Sequence, residues 1–202
     1  MKPKDEQKRQ RILAAATAIL ATGGLASFST TKVAKLAGVP QSNLYIYFAN
    51  KQALLTETYL ANVHLQSVAV ATALDAATTS QDQLAATIAA LYRFALANPQ
   101  ATTVIRVLTM DHQFKQDLAP KLADPANQQI QDLLRSGITR EILRDTDLNL
   151  LRYFLTNPVY RYAEMVRTEQ LPASEAGLAN LTAMIMGAVL RPAIYQAWLT
   201  QD

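Results

Sequence analysis

Two short amphipathic segments joined at a glycine, between residues 28 and 51, restrict the possible folds more than any other feature. The first segment, Thr30 to Ala37, places its apolar residues at helical spacing and follows Ser29, which suits a helix N-cap. Gly38 then favours a left-handed backbone, because glycine has no Cβ to clash. A second short helix is predicted from Gln41 to Phe48. The pattern therefore predicts a helix-turn-helix.

The rest of the chain also repeats its apolar residues at helical spacing, and no segment shows sustained two-residue alternation. Glycine is scarce, at six residues, while strong helix formers such as alanine and leucine are plentiful. We therefore expect an all-α fold. Beyond the two motif helices, we predict helices at about 5–21, 51–77, 80–97, 125–137, 147–168 and 175–199, another beginning at Asn98-Pro99, a cap at Ser80 and a kink at Pro158.

Composition and charge narrow the function. The absence of cysteine excludes disulfides and thiolate catalysis, and no apolar run reaches the roughly 18 residues that a membrane span needs. We expect a soluble, cytoplasmic protein without contact to a membrane. Residues 1–51 carry a net charge of +6 and the remainder −3, which indicates a polyanionic partner for the N-terminal part. A solvated charged face is the alternative.

The outward face of the second short helix carries hydrogen-bonding side chains of middling length, which suit base edges and phosphates: Gln41, Ser42, Asn43, Tyr45 and Tyr47. Phe48 is expected in the core, and Tyr47 has either role open. The basic residues Lys4, Lys8, Arg9 and Arg11 form either a solvated face or a loose arm that adds phosphate contacts.

This segment resembles the TetR family of transcription regulators over roughly residues 8–60. The matching residues are Val33, Ala34, Ala37, Gly38, Val39, Leu44, Tyr45, Tyr47, Phe48, Lys51 and Leu54. The resemblance implies an N-terminal three-helix DNA-binding domain and a C-terminal helical bundle for dimerisation and ligand binding. It also implies a homodimer on a palindromic double-stranded operator, and a repressor released by a small-molecule effector, with no other cofactor and no enzymatic activity.

The resemblance assigns roles to individual residues. Thr30, Thr31 and Lys32 would meet phosphates, and Thr31 would also approach a base. Gln41, Ser42 and Asn43 would enter the major groove, while Tyr45, Tyr47 and Lys51 would contact phosphates. Two positions depart from the usual family pattern: Pro40 stands where a Ser-like cap is common, and Asn43, which can pair bidentately with adenine, replaces a small residue.

The second domain is expected to span residues 51–202, after a DNA-binding domain of residues 1–50. A small-residue stripe with apolar neighbours, formed by Leu178, Ala179, Ala183 and Gly187, is the predicted dimer face, and an intramolecular core is the alternative. The predicted effector pocket comprises Tyr92, Arg106, Met110, Phe114, Tyr153 and Tyr160. Aromatic residues at such spacing more often belong to the core. Arg106, in an apolar helix, needs a buried partner or reaches the surface.

Two rival classes remain open from residues alone. A small helical enzyme finds little support, since no P-loop or Gly-x-Ser-x-Gly motif occurs and the two histidines, His64 and His112, are not at metal-ligand spacing. A helix-turn-helix that serves only as a protein-interaction scaffold is the third possibility. Salt-sensitive binding to a palindromic duplex would distinguish the regulator from both.

Overall fold

The computed structural model describes residues 3–77, 79–111, 114 and 123–200, and these residues are mostly helical. The helices are α1 (Pro3–Ser27), α2 (Thr30–Ala37), α3 (Gln41–Tyr47), α4 (Lys51–Leu74), α5 (Ser80–Ala97), α6 (Pro99–Met110), α7 (Pro125–Thr139), α8 (Leu148–Arg167), α9 (Glu175–Val189) and α10 (Pro192–Leu199). Over the same residues, β-type pairing is limited to an isolated antiparallel bridge between Leu143 and Leu190. The expected all-α fold is confirmed.

The first helix extends beyond its predicted end. It was predicted to end at about residue 21, before the pair Gly23-Gly24, and the backbone does break at Gly24, with φ 60° and ψ −165°. A further helical turn follows, so that α1 ends at Ser27. Its hydroxyl donates to the carbonyl of Gly24 at 3.1 Å, which helps to hold this last turn.

The prediction of one last helix from 175 to 199 is wrong, because Pro192 interrupts it. Proline forces the residue before it out of the helical region, and Arg191 accordingly has ψ 145°. Leu190 is also extended, at ψ 152°. The freed backbone pairs instead with the loop after α7, where the Arg191 amide donates to the carbonyl of Ile142 at 3.0 Å.

The capping residues of three helix starts can be compared with the sequence-based predictions. Asp147 and Ser174 cap α8 and α9 through their side chains, close to the predicted starts of these helices. The cap of α5 is Thr79 rather than Ser80: its hydroxyl accepts from the Asp82 amide at 3.1 Å, and Asp82 accepts in return from Thr79. This reciprocal arrangement satisfies two helix-terminal donors, which Ser80 alone cannot do. Helix α8 runs through Pro158 as a single helix.

The chain divides into two compact units. Unit 1 comprises Met1–Leu65 and Asn98–Lys121, and unit 2 comprises Gln66–Ala97 and Leu122–Asp202. Helix α4 therefore contributes residues to both units, and α6 belongs with the N-terminal helices. The functional boundary between residues 50 and 51 stays a prediction.

Each unit has its own apolar core. In unit 1, α6 packs on α1, and the buried residues include Ile12, Leu20, Leu44, Phe48, Leu54, Val104 and Leu108. In unit 2, α8 packs on α5 and α9, around Leu84, Ile88, Leu91, Leu155, Val159, Ile185 and Met186. Burying a leucine or isoleucine stabilises a fold by about 1.5–3 kcal/mol each. The core of unit 1 thus fixes α2 and α3 through their inner residues.

Candidate nucleic-acid interface

The turn between α2 and α3 has the geometry that its sequence predicts. Gly38 adopts the left-handed conformation, with φ 65° and ψ 39°, and its amide donates to the carbonyls of Ala34 and Lys35. The Val39 amide also donates to Ala34, at 3.0 Å. At the other end, the Ser29 hydroxyl accepts from the Lys32 amide at 3.2 Å. The helix is thus capped at both ends by short-range signals.

Helix α3 is held to the unit by one side only. Leu44 and Phe48 are fully buried, and on α2 Val33, Ala34 and Ala37 are buried beside them. The small alanines bring the two helices close together. Anchoring from within leaves the opposite side of α3 at the surface of the unit.

The predicted groove-facing residues mostly lie on that outward side. Gln41, Ser42 and Tyr45 are exposed, whereas Asn43 and Tyr47 are half-buried. The Tyr47 ring lies 6.4 Å from that of Phe48, between centroids, so its body supports the core while its edge reaches the surface. The expected core position of Phe48 is confirmed.

The predicted phosphate contacts on α2 and α4 are also placed at the surface. Thr31 and Lys32 are exposed and Thr30 is half-buried. The Lys32 ammonium donates to the carbonyl of Ser27 at 3.1 Å. Lys51 is exposed, and its ammonium lies 5.7 Å from the centre of the Phe28 ring. Both lysines are therefore oriented by their own unit while their charge stays in solvent.

The basic residues before the motif do not form a loose arm where the structure describes them. Lys8, Arg9 and Arg11 lie on α1; the side chain of Lys4 lies outside the described residues. Arg9 pairs with Glu57 of α4 at 2.5 Å, and its guanidinium lies 5.9 Å from the Phe48 ring centre. Arg9 thus connects two helices of unit 1, while Arg11 is exposed.

Three exposed residues on the same helices were not predicted as site residues. Lys35 and Leu36 lie outward on α2, and Ile46 lies outward on α3. A helical wheel drawn from the buried position of Leu44 would have placed Ile46 outside. Ile46 was not among the predicted site residues because those residues were chosen for side chains that form hydrogen bonds.

A compact helix-turn-helix that buries one face and presents polar groups on the other is the geometry used to enter a DNA major groove. Residues 12–58 match the model of the family described as bacterial regulatory proteins, tetR family. The helix-turn-helix domain belongs to the TetR family. Regulators of this family are non-enzymatic transcription factors, in agreement with the expectation from the sequence.

Solved structures extend the similarity over nearly the whole chain. A TetR family transcription regulator from Marinobacter aquaeolei VT8 aligns with a TM-score of 0.83 and 20% identity, covering 94% of this chain and 99% of that one. A TetR-family transcriptional regulator from Haemophilus influenzae RD gives 0.71 and 15%, over 94% and 100%. A fatty acid degradation regulator from Bacillus halodurans gives 0.64 and 20%, over 93% and 96%. At these identities the match shows a common TetR-like fold.

The predicted effector-pocket residues divide between the two units. Tyr92 and Tyr160 are buried in unit 2, and Phe114 is buried in unit 1 against Tyr59. Arg106 and Met110 are exposed on α6, and Tyr153 is exposed on α8. Arg106 therefore reaches the surface, which was the second alternative for it.

Tyr92 lies against the α8 residue Tyr162, with their ring centroids 5.6 Å apart. Burial raises the pKa of the Tyr92 phenol above its ordinary 10.0, and the nearby Tyr162 phenol raises it further. Tyr160 donates its hydroxyl proton to Gln66 of α4. These tyrosines tie α4, α5 and α8 into the core of unit 2.

A cleft of about 470 Å³ lies elsewhere in unit 2, between the start of α8 and the junction of α9 with α10. Its lining is Arg144, Asp145, Thr146, Leu150, Leu151, Phe154, Ala188, Arg191 and Pro192. Arg144 donates to the carbonyl of Gly187 at 3.2 Å, and Arg191 pairs with Glu141 at 3.4 Å. The volume lies within the range of small-molecule sites.

The predicted dimer face lies on α9, partly at the surface. Ala179 is exposed, and Leu178, Ala183 and Gly187 are half-buried. A Cβ at Gly187 would come within 3.1 Å of the Tyr195 ring of the same chain, so its small size already serves an intramolecular contact. Large apolar side chains are nevertheless exposed on α8 and α9: Leu150, Tyr153, Phe154 and Met184.

The described residues provide neither a membrane-spanning helix nor a metal site. No helix there is long and apolar enough to cross a membrane. Nor does that part of the chain contain a cluster of His, Asp and Glu residues that could bind a metal ion. His64 is exposed on α4, and His112 lies outside the described residues.

Proposed function

We propose that this chain is a sequence-specific DNA-binding repressor that acts as a homodimer on a palindromic operator and is released by a small molecule. The TetR-family helix-turn-helix supports DNA-binding transcription regulation. The observation that carries the finer proposal is the outward face of α3. There Gln41, Ser42 and Tyr45 are exposed on a helix whose other side is anchored by Leu44.

The exposed groups divide by the part of DNA that they suit. Gln41 and Asn43 have amide side chains that can pair bidentately with adenine, so they would distinguish sequences. Lys32 and Lys51 carry charge at the surface and would neutralise phosphates irrespective of sequence. Positioning contacts and base contacts thus come from neighbouring elements of one small domain.

A homodimer is supported by exposed apolar surface. Leu150, Tyr153 and Phe154 on α8 and Met184 on α9 are exposed, and these two helices pack on each other within unit 2. Monomeric proteins rarely expose such clusters of large apolar side chains. A two-fold symmetric dimer would bury the part of this surface outside the cleft, with Tyr153 and Met184, and would match the symmetry of a palindromic site.

The cleft in unit 2 supports the proposal that a small-molecule effector releases the protein from DNA. Leu150, Leu151 and Phe154 make much of its lining apolar, and Arg144 and Arg191 add positive charge. Such a site suits an apolar carboxylate, and Asp145 on the same lining disfavours a second negative charge. Helix α4, which has residues in both units, provides a continuous element through which ligand binding would shift the DNA-binding helices.

The DNA proposal is tested by selecting bound duplexes from a random pool, followed by affinity measurements on the enriched sequence. A palindromic sequence and a ratio of two chains per duplex are expected. Gln41→Ala should lose selectivity at one or two positions per half-site, whereas Gln196→Ala, an exposed glutamine on α10, should leave the profile unchanged. Failure to enrich any sequence would overturn the proposal.

The effector proposal is tested with octanoate as the probe. Octanoate should release the selected duplex from the wild-type chain, and Arg144→Ala should raise the concentration required. Arg135→Ala, an exposed arginine on α7, is the matched control. Equal responses of both variants and the wild type would exclude this cleft, and the absence of any release would exclude the apolar carboxylate.

A further inference from the structure

Ile46 is the most exposed of the large apolar side chains in the described residues, at 75%. It lies near the C-terminal end of α3, a short helix in which Leu44 is the buried residue. The core does not need Ile46, because Leu44 and Phe48 already anchor this helix. A single exposed isoleucine would need no explanation. Ile46, however, lies among the outward residues of α3, and this position suggests a role in DNA binding.

The helical period places Ile46 on the outward face of α3, which is the face proposed to contact the bases. Ser42 and Ile46 are four residues apart and therefore lie on one face of α3, with Tyr45 beside them. Leu44 points about 160° away from Ile46 at 100° per residue, into the core. Ser42, Tyr45 and Ile46 are all exposed. An element that places Ser42 against base edges will therefore bring Ile46 to the same groove.

The chemistry of the side chain restricts what it can meet there. Isoleucine has no donor or acceptor, so it cannot satisfy a phosphate or a polar base edge. In the major groove the thymine C5-methyl is the apolar group that the base edges present. We propose that Ile46 packs on the C5-methyl of one thymine in each half-site and thereby determines specificity. This inference rests on the proposed DNA binding by α3.

The location of that thymine follows from helix dimensions. Four residues of α-helix advance about 6 Å, which corresponds to roughly two base-pair steps. The thymine should therefore lie within about two base pairs of the position contacted by Ser42, on the side away from Gln41. Gln41 and Ile46 would read opposite ends of a short stretch of the half-site.

The test removes the methyl group alone. Each thymine of the selected duplex is replaced in turn by deoxyuridine, symmetrically in both half-sites, and the affinity is measured for wild type and Ile46→Ala. For wild type, one position per half-site should weaken binding about fourfold per methyl, from about 0.8 kcal/mol per buried methyl-sized group. Ile46→Ala should bind the thymine duplex more weakly and lose its sensitivity at that position.

Two comparisons make the result specific. Leu65→Ala, an exposed leucine on α4, should keep the wild-type deoxyuridine profile. Replacing the deoxyuridine by 5-methyl-deoxycytidine, paired with guanine, restores the methyl group and should recover part of the contact for wild type only. Circular dichroism on Ile46→Ala should show unchanged helix content, because the side chain does not enter the core.

The possible outcomes distinguish a failure of this inference from a failure of the proposed DNA binding. If no duplex is selected, DNA binding itself fails. If a duplex is bound but deoxyuridine is neutral at every position, Ile46 does not read a methyl group. The same conclusion holds if deoxyuridine weakens wild type and Ile46→Ala equally, because another residue then makes the contact.

Discussion

Asn62 and Gln66 lie one turn apart on α4, and their side chains bond to helices of different compact units. The Asn62 amide donates to the hydroxyl of Thr17 on α1 at 2.9 Å. Gln66 accepts from the hydroxyl of Tyr160 on α8. Asn62 is buried and also donates to the Thr58 carbonyl at 2.7 Å. Asn62 therefore holds α4 to α1 within unit 1, and Gln66 holds it to α8 within unit 2.

The bond to Gln66 should have a measurable effect on stability. Tyr160→Phe removes the hydroxyl and should lower the free energy of unfolding by about 1 kcal/mol, as is typical of one side-chain hydrogen bond. Urea denaturation of the protein measures this difference. Tyr195→Phe is the control, because Tyr195 stacks on Trp198 without a hydrogen bond of its hydroxyl to any described residue, and it should change little. An equal loss in both variants would count against the bond as the cause.

Glycine at positions 24 and 38 should prove necessary to different degrees. Both have positive φ, and a Cβ would meet nothing within 4 Å at either position, so backbone strain alone decides. Gly38 is in the left-handed helical region, where alanine costs roughly 1–2 kcal/mol and asparagine less. Gly24, at ψ −165°, is in a region that is essentially restricted to glycine.

We therefore expect Gly24→Ala to destabilise the protein more than Gly38→Ala in the same denaturation experiment. Gly38→Asn should recover part of the loss, and Gly24→Asn should recover little. A reversed order, or equal rescue by asparagine at both positions, would contradict this account of the two turns.

These glycines also illustrate what local sequence can predict. The turn at Gly38 and the cap at Ser29 depend on residues within four positions, so their patterns were sufficient. The exposed face of α3 followed from periodicity in the same way. Local information failed at Ser80, where Thr79 and Asp82 together form a better cap.

Long-range packing was not predictable in this way. Nothing near Pro99 indicates that α6 packs on α1, and nothing near Arg9 indicates its pairing with Glu57, 48 residues away. The strand-like pairing of Leu190 with Leu143 arises only once α7 and α9 are in place. The aromatic residues of the pocket prediction likewise belong to two separate cores, with Tyr92 and Tyr160 in unit 2 and Phe114 in unit 1, which their helical spacing does not reveal.

The Arg9–Glu57 pair provides a test of how much a partly exposed ion pair contributes. The two side chains are 28% and 42% exposed, so solvent screens the interaction, and Glu57→Gln should cost less than about 1 kcal/mol. The loss should shrink in 1 M NaCl. Glu164→Gln, which removes the more exposed pair with Arg161 at 3.1 Å, should cost less still. A salt-independent loss at Glu57 would indicate packing rather than charge.

Asn43 and Lys51 should differ in how their removal affects DNA binding. Asn43→Ala is expected to relax the preference at one or two base pairs, with a cost of about 1–3 kcal/mol on the selected duplex only. Lys51→Ala should weaken selected and random duplexes alike and reduce the slope of log affinity against log salt by about one per bound chain. Fluorescence anisotropy over a salt series measures both. A sequence-dependent loss for Lys51→Ala would reverse its assignment.

The burial of Tyr92 should make stability sensitive to high pH. Its folded-state pKa is raised above the 10.0 expected in the unfolded chain, so the folded protein holds the phenolic proton more tightly. This contribution is fully present below pH 10, and it is lost as the pH rises through the folded-state value. Urea denaturation between pH 8 and pH 11 should show a steeper decline for wild type than for Tyr92→Phe, which has no proton to lose. Tyr153→Phe removes an exposed phenol and should follow the wild-type curve. If all three curves decline in parallel, the decline comes from other groups. The phenol of Tyr92 would then ionise as readily in the folded chain as in the unfolded one.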